Sequence, residues 1–260
     1  MCKYLITLCS LIFALQAAAD QPTLSNVTQG QLDGIYKDLG SIMYPTTVSG
    51  ASSLGKIFGF EIGVLGGVAD SPHIDALVPE NVSRLPKAGL MGIVTVPFGL
   101  GIEASILPVT VGDFEYDYMS IGGRWTINEV ISAIPFIDLK LKVDFTKAEL
   151  KWKQTISNVP VNVTYENKST AYSLTVGKKI LFIEPFAGLG RIDGKSSLTS
   201  TGTVSIFDVS VPLSAREDVS QSDTYYFLGC QLHLLFLNLG AELAKVYDNQ
   251  VVVGKLSFGF

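Results

Sequence analysis

Strict alternation of apolar and charged residues marks the clearest segment of the chain, Ile137 to Phe145. Its odd-numbered residues are Ile, Leu, Leu, Val and Phe, and its even-numbered residues are Asp, Lys, Lys and Asp. This alternation predicts a β-strand with one apolar and one charged face. In a soluble β-sandwich the apolar face would pack on a protein core. In a transmembrane barrel it would face lipid, and the charged face would line the lumen.

The same alternation recurs along the chain. It is visible in residues 60–64, 226–234 and 239–243. Segments of about ten residues match tilted strands that cross a membrane. The phase slips between Phe145 and Ala148, between Phe114 and Ile127, and near Asn167 to Thr170. A β-bulge, an added turn, or strands that project beyond the membrane would each cause such slips. The pattern predicts about ten strands, within a range of eight to fourteen.

Residues 88–112 are apolar enough to suggest a transmembrane helix, but their composition favours a hairpin. The segment contains Pro97, Pro108 and five glycines, and its only charged residue is Glu103. Proline and glycine disfavour one long helix. We therefore predict two strands joined by a turn near Phe98 and Gly99.

One segment has helical periodicity. Between Leu32 and Met43 the apolar residues recur at a spacing of three and four, which is typical of an amphipathic helix. Thr28 and Gln31 have capping-box spacing and Pro45 follows the segment, although two internal glycines weaken the helix. We predict a helix at about 28–44, which would pack on the protein, plug a barrel or lie at the membrane surface. It belongs to an N-terminal segment, residues 20–53, that would be periplasmic or form a plug before a barrel of residues 54–260.

The N-terminus predicts a secretory signal peptide over residues 1–19. Lys3 supplies a positive charge, Tyr4 to Leu15 an apolar core, and Ala17 to Ala19 a small-residue cleavage site. A retained membrane anchor is the alternative, but the apolar stretch is short for a span of ~20 residues. Cleavage would leave Cys230 as the one cysteine of the mature chain, without an internal disulfide.

Composition agrees with a membrane barrel and argues against nucleic-acid binding. Hydrophobic residues make up 47% of the chain, charged residues make up 17%, and the mean hydropathy is +0.35. The net charge is −5, and it would become −6 on loss of Lys3. Such an acidic chain lacks the basic surface that nucleic acids require.

The C-terminal sequence VVVGKLSFGF places Val252, Gly254, Leu256, Phe258 and Phe260 on one face. It resembles the last strand of Gram-negative outer-membrane β-barrels, which the barrel-assembly machinery recognises through a final aromatic residue and alternating apolar positions. The resemblance implies an all-β, antiparallel transmembrane barrel in the cell outer membrane. Its implied partners are outer-membrane lipids and the assembly machinery, with Gly254, Leu256, Phe258 and Phe260 as the assembly signal.

In such a barrel the charged face of each strand must point inward, because a Lys on the lipid face costs roughly 2–4 kcal/mol near the midplane. A salt-bridge network that fills a narrow barrel and the lining of a selective pore both remain open. The lumen-facing candidates are Glu103, Arg124, Asp138, Lys140, Lys142, Asp144, Glu184, Glu242 and Lys255.

An amphipathic N-terminal segment before a barrel, and a closing aliphatic hairpin that turns at Asp248 and Asn249, are similar to the long-chain fatty-acid channel superfamily and its shorter relatives. The resemblance implies passage or binding of a hydrophobic small molecule. We therefore expect a small channel or carrier. The alternatives are a structural or adhesive surface barrel and a membrane-embedded lipid-modifying enzyme. A wide lumen would favour transport, and a filled lumen would favour the structural alternative.

An enzyme would need a histidine beside serine or acidic residues, as in outer-membrane lipid hydrolases, acyltransferases and proteases. His73 lies close in sequence to Asp70, Ser71 and Asp75, which is weak evidence for such a site, and His233 lies within a predicted strand. The sequence contains no Cys/His cluster that would predict a metal site. We expect neither enzymatic activity nor a cofactor.

Overall fold

The structure is a computed structural model that describes residues 29–55, 57–76, 82–130, 136–156, 159–206 and 209–260. The predicted signal peptide and the capping residue Thr28 lie outside the described residues.

Ten antiparallel strands close into a barrel, in which each strand pairs with its neighbours in sequence and the first pairs with the last. This confirms the predicted antiparallel β-barrel and its strand number. The strands are β1 (Gly59–Asp70), β2 (Arg84–Thr95), β3 (Leu100–Val111), β4 (Phe114–Thr126), β5 (Asp138–Ile156), β6 (Val159–Gly177), β7 (Ile183–Ile206), β8 (Val209–Leu234), β9 (Leu237–Val246) and β10 (Asn249–Gly259).

The barrel has two ends, and the long strands β5 to β8 project at one of them. We call the end with Gly59 and Phe260 the turn end, and there the backbones of Phe60 and Phe260 exchange two hydrogen bonds. We call the opposite end the loop end, because residues 71–83 connect β1 to β2 there. Large apolar residues occupy left-handed backbone positions in the connections at the turn end, at Phe98, Phe136, Leu181 and Leu235.

The exposure of β5 resolves the two interpretations of its alternation. Leu141 and Phe145 point outward and are 41% and 59% exposed, whereas Lys140, Lys142 and Asp144 are buried inside the barrel. A sandwich would have buried the opposite face. The apolar exterior and charged interior are the arrangement of an outer-membrane β-barrel.

The slips in the alternation are not β-bulges. Strand β5 pairs with β6 without interruption from Asp138 to Ile156. Beyond Phe145 the outward residues become Lys147 and Glu149, while Ala148 and Leu150 are buried on the inner side. The chemistry of the two faces changes because strands β5 to β8, of 19 to 26 residues, continue past the apolar band at the loop end.

Two helices accompany the barrel: α1 (Gln29–Ile42) and α2 (Pro72–Asp75). The predicted N-terminal helix is therefore confirmed over the described residues. Its glycines allow close packing, because a Cβ at Gly34 would lie 2.4 Å from the His73 ring and one at Gly40 would lie 3.0 Å from the Tyr247 ring. No helix in the described ranges is long and apolar enough to cross a membrane.

Helix α1 lies inside the loop end of the barrel. The Tyr36 ring packs 5.8 Å from the Tyr165 ring, and its hydroxyl donates to the Glu217 carbonyl at 3.1 Å. Burial, and then the nearby Glu217 charge, raise the pKa of Tyr36 to about 12, so the hydroxyl remains a donor at neutral pH.

Asp38 fixes α1 to two connections at the loop end. Its carboxylate accepts hydrogen bonds from the backbone N–H groups of His73 and Ile74 and from the His73 ring, each at 2.8 Å. It also accepts from the Asn249 amide at 2.9 Å. A carboxylate at the N-terminus of α2 satisfies backbone donors that have no partner within that short helix.

Residues 43–55, which we call the luminal segment, follow α1 and run through the barrel to the turn end. Near its start, the Tyr44 ring lies 5.1 Å from the Tyr225 ring. Near its end, Ala51 lies beside the last residue of β6, since a Cβ at Gly177 would be 3.4 Å from the Ala51 Cβ. The N-terminal part of the chain therefore extends from one end of the barrel to the other.

Candidate functional site: the filled lumen

The luminal segment carries no charged residue, yet charged residues of the barrel wall hold it. Lys140 donates to the Ser49 carbonyl at 2.7 Å, and Arg124 donates to the Ser52 carbonyl at 2.9 Å. Other wall side chains donate to further carbonyls of the segment, from Lys87 to Tyr44, Gln231 to Val48, Arg124 to Gly50 and Thr126 to Ala51. The wall therefore binds mainly the backbone of the segment.

A buried group of ionisable side chains, which we call the lumen cluster, lies beside the segment. It consists of Glu103, Arg124, Lys140, Lys142 and Asp144. Glu103 is its centre, with carboxylate oxygens 2.9 Å from an Arg124 nitrogen, 3.0 Å from Lys142 Nζ and 3.7 Å from Lys140 Nζ. Lys142 Nζ also lies 3.1 Å from Asp144. Five of the nine predicted lumen residues thus lie in one network.

The segment also donates to the lumen cluster. The hydroxyl of Ser49 donates to Glu103 at 2.8 Å, and the hydroxyl of Thr47 donates to the other oxygen of the same carboxylate. The Glu103 side chain is only 1% exposed, so these bonds form away from bulk water. The position of the segment and the charge balance of the wall therefore depend on the same carboxylate.

Two more predicted residues, Asp138 and Glu184, hold the segment at the turn end. The Ser52 hydroxyl donates to Asp138 at 2.8 Å, and the Ser52 backbone N–H donates to Glu184 at 2.9 Å. The other Glu184 oxygen lies 3.1 Å from His233 Nε2. These contacts hold Ser52 of the luminal segment at the turn end.

The remaining predicted residues, Glu242 and Lys255, lie elsewhere in the lumen. Lys255 Nζ is 2.7 Å from Glu61, and both side chains are fully buried. Glu242 is buried beside Tyr44 and Lys142, and lines a cavity of about 10 Å³ with them. This is about the smallest space that admits one water molecule.

Part of the lumen wall, on β7 and β8, is aromatic rather than charged. Phe186, Tyr225 and Phe227 form a continuous group, with ring centroids 6.1 to 6.3 Å apart. Tyr44 joins this group from the luminal segment. The lumen therefore contains a charged part and an aromatic part, and the N-terminal segment contacts both.

A cavity of about 190 Å³ lies at the turn end. Ser52, Arg124, Glu184 and His233 line its polar side, and Phe60 and Phe260 line its apolar side. The segment separates it from the small cavity at Glu242. Within the described part of the chain, the lumen is filled.

The last strand places the predicted assembly-signal residues on the exterior. Leu256 and Phe258 are exposed on the apolar face of β10, and Gly254 lies in the same row. The exposed Phe260 ring lies 5.7 Å from the Phe236 ring.

The two histidines occupy different ends of the barrel. His73 contacts Asp38 rather than the acidic residues near it in sequence, and His233 contacts Glu184 and Asn238. No group of three or more potential metal ligands occurs among the described residues.

Sequence reasoning missed Glu61, Lys87 and Asp38. It offered a plug as one alternative for residues 20–53, but it did not identify the wall residues that hold the luminal segment. For Glu61 a signal was present, because its alternation with Phe60 and Ile62 places it on the inner face. Lys87 shares the phase of the inward residues of β2. The luminal segment has no periodicity, and its lack of charge is its one distinguishing feature.

Comparisons with known proteins place the chain in a family without an assigned activity. Residues 44–260 match the profile of a family described as "Family of unknown function (DUF6588)". The chain belongs to this family. The match begins at Tyr44, so the family region includes the luminal segment and the barrel. No curated protein matches the sequence.

The chain has low similarity to several solved structures. The chain is similar to the outer membrane protease OmpT from Escherichia coli, with 8% identity, coverage of 82% of this chain and 100% of OmpT, and a TM-score of 0.45. The translocator domain of the autotransporter NalP from Neisseria meningitidis has 8% identity to this chain and a TM-score of 0.43, with coverage of 89% of this chain and 94% of NalP. Ail, the attachment invasion locus protein of Yersinia pestis, has 14% identity to this chain and a TM-score of 0.35, with coverage of 78% of this chain and 97% of Ail.

Proposed function

We propose that this outer-membrane β-barrel is a channel closed by its own N-terminal segment, with residues 29–55 as the gate. A filled lumen by itself favours the structural alternative. What supports a channel is that an uncharged segment of the chain fills the lumen and is held there by the buried lumen cluster. Buried charged side chains do not stabilise a filled barrel better than apolar ones, since well-packed apolar residues of similar volume often give equal or greater stability. A charged wall becomes favourable when water replaces the segment. The wall chemistry therefore suits a lumen that opens.

The charged side chains of the lumen cluster favour passage of a small polar solute. A hydrophobic molecule that crossed the barrel would have to displace water from Glu103, Arg124 and Lys142 without offering them hydrogen bonds, which is unfavourable. The aromatic group around Tyr225 suits a hydrophobic molecule better. Binding of a hydrophobic small molecule there, without passage, is our second candidate function.

Removing the hydrogen bonds that the luminal segment donates to the barrel wall is expected to open the lumen. In a Thr47→Ala/Ser49→Ala variant Glu103 loses two hydrogen-bond donors of the segment but keeps its ion pairs with Arg124 and Lys142. The number of charged side chains in the barrel wall therefore does not change. We expect this variant to admit small sugars and amino acids into proteoliposomes, measured by swelling, at a higher rate than the unmodified protein.

A disulfide supplies the matched control. The Cβ positions at Ala51 and Gly177 are 3.4 Å apart, close to the usual separation in disulfides of about 3.5–4.5 Å. Adding Ala51→Cys and Gly177→Cys, with Cys230→Ser, should close the loosened variant when oxidised and release it when reduced. A Gly177→Cys control is needed because its Cβ would lie 3.0 Å from the Pro185 carbonyl. Equal impermeability of every variant would support a permanently closed structural barrel.

We also propose that the C-terminal strand is the signal read by the barrel-assembly machinery. Phe260→Ala keeps the backbone bonds to Phe60 but removes the terminal ring, so we expect less folded protein in the outer membrane. Phe236→Ala removes the partner of that ring and is the matched control. Heat-modifiable migration of membrane fractions measures the folded fraction. Equal losses for both variants would mean that the ring contact, rather than the signal, is important.

A further inference from the structure

We propose that helix α1 lies at the cell surface, so that the luminal segment carries the chain across the outer membrane inside its own barrel. This inference concerns the direction of the segment and does not depend on whether the lumen opens. It assigns a second role to the barrel, the presentation of its own N-terminal helix to the exterior.

The contacts of α1 place it at the loop end. Asp38 binds the connection between β1 and β2 through His73, and the start of β10 through Asn249. The Gln221 amide donates to the Asp33 carbonyl at 3.2 Å on the projecting part of β8. At the other end of the luminal segment, Ser52 binds Asp138 and Glu184, which begin β5 and β7 at the turn end. The segment between α1 and Ser52 therefore crosses the full height of the barrel.

The architecture sets the direction of the barrel in the membrane. An even number of strands places Gly59 and Phe260 at the same end. Outer-membrane barrels have short periplasmic turns and longer extracellular loops, and the projecting β5–β6 and β7–β8 hairpins take the place of such loops here. Strands β5 to β8 extend beyond the apolar band only at the loop end, where their outward residues include Lys147 and Arg191. The loop end therefore faces the cell exterior, and α1 with it.

At this end α1 and the projecting strands form one surface. Asp33 is exposed on α1, and the ion pairs Arg191–Asp193 and Arg216–Asp218 are exposed on β7 and β8. The inner side of α1 is fixed by Tyr36 and Asp38, so the helix is held in place rather than tethered loosely. A ligand outside the cell would reach α1 without crossing the membrane.

Cysteine labelling of intact cells tests this inference in the full chain with Cys230→Ser. Three exposed positions are compared with a membrane-impermeant maleimide: Asp33→Cys on α1, Asp113→Cys between β3 and β4 at the loop end, and Lys179→Cys between β6 and β7 at the turn end. We expect Asp33→Cys and Asp113→Cys to be labelled on intact cells, and Lys179→Cys only after permeabilisation. Heat-modifiable migration confirms that each variant is folded.

Two results would overturn the inference. If Asp33→Cys were labelled only after permeabilisation, as Lys179→Cys is, α1 would lie on the periplasmic side. If Lys179→Cys were labelled on intact cells and Asp113→Cys were not, the barrel would have the opposite direction and α1 would not be at the surface. Neither result would decide whether the lumen conducts solutes, which the swelling measurements address separately.

Discussion

Glu103→Gln is expected to destabilise the barrel by about 3–5 kcal/mol, the usual cost of removing one partner from a buried ion pair. Glu103 is the carboxylate within 4 Å of Arg124, Lys140 and Lys142 together. Its neutralisation leaves Asp144 as the remaining anion paired with Lys142 in the lumen cluster. Urea unfolding of the folded protein in lipid vesicles measures the change in free energy.

Glu149→Gln is the matched control for this prediction. Glu149 pairs with Lys151 at 2.7 Å, but both side chains are partly exposed, and such pairs contribute only about 0–1 kcal/mol. Equal losses of stability in the two variants would contradict the central position of Glu103. Glu103→Gln should also weaken the hold on Thr47 and Ser49, so its permeability is expected to rise with its instability.

Leu141→Lys is expected to destabilise the barrel by roughly 2–4 kcal/mol, since it places a charge on the lipid face near the membrane midplane. Leu141 is the middle residue of the outward row Ile137, Leu139, Leu141, Val143 and Phe145, and its side chain is exposed on the outer face of the barrel. Unfolding in lipid vesicles of uniform thickness is the appropriate measurement.

Leu141→Ala separates the loss of the leucine side chain from the effect of the charge. It should cost clearly less than Leu141→Lys. An equal cost for both variants would show that position 141 contacts protein rather than lipid, which would contradict the assignment of the apolar face of β5.

The sequence predicted the barrel well because its faces obey a simple constraint. In β5 each odd residue from 137 to 145 is apolar and each even residue is charged, and lipid permits only one orientation of that pattern. Beyond Phe145 the constraint changes, because the projecting strand faces water outside and buried apolar side chains inside. The alternation slips there although the pairing continues to Ile156.

The contents of the lumen were harder to predict. The nine predicted residues were identified one strand at a time, whereas the lumen cluster depends on the register of three neighbouring strands, β3, β4 and β5. The luminal segment binds through its carbonyl groups, which every residue has, so no side-chain pattern reveals it. Asp38 likewise acts through contacts with residues 35 and 211 positions away, which local spacing does not show.

The luminal segment lies inside the barrel with Ala51 at the turn end, and this placement can be tested by experiment. Oxidative cross-linking in native outer membranes tests it most directly, using the pair Ala51→Cys/Gly177→Cys in a Cys230→Ser background. The control pair is Ala51→Cys/Gly194→Cys, because an added Cβ at Gly194 would lie 3.2 Å from the Tyr247 hydroxyl at the loop end. We expect a disulfide in the first pair and none in the second. Cross-linking of the 51–194 pair, or of neither pair in correctly folded barrels, would contradict a segment that runs through the lumen in this direction.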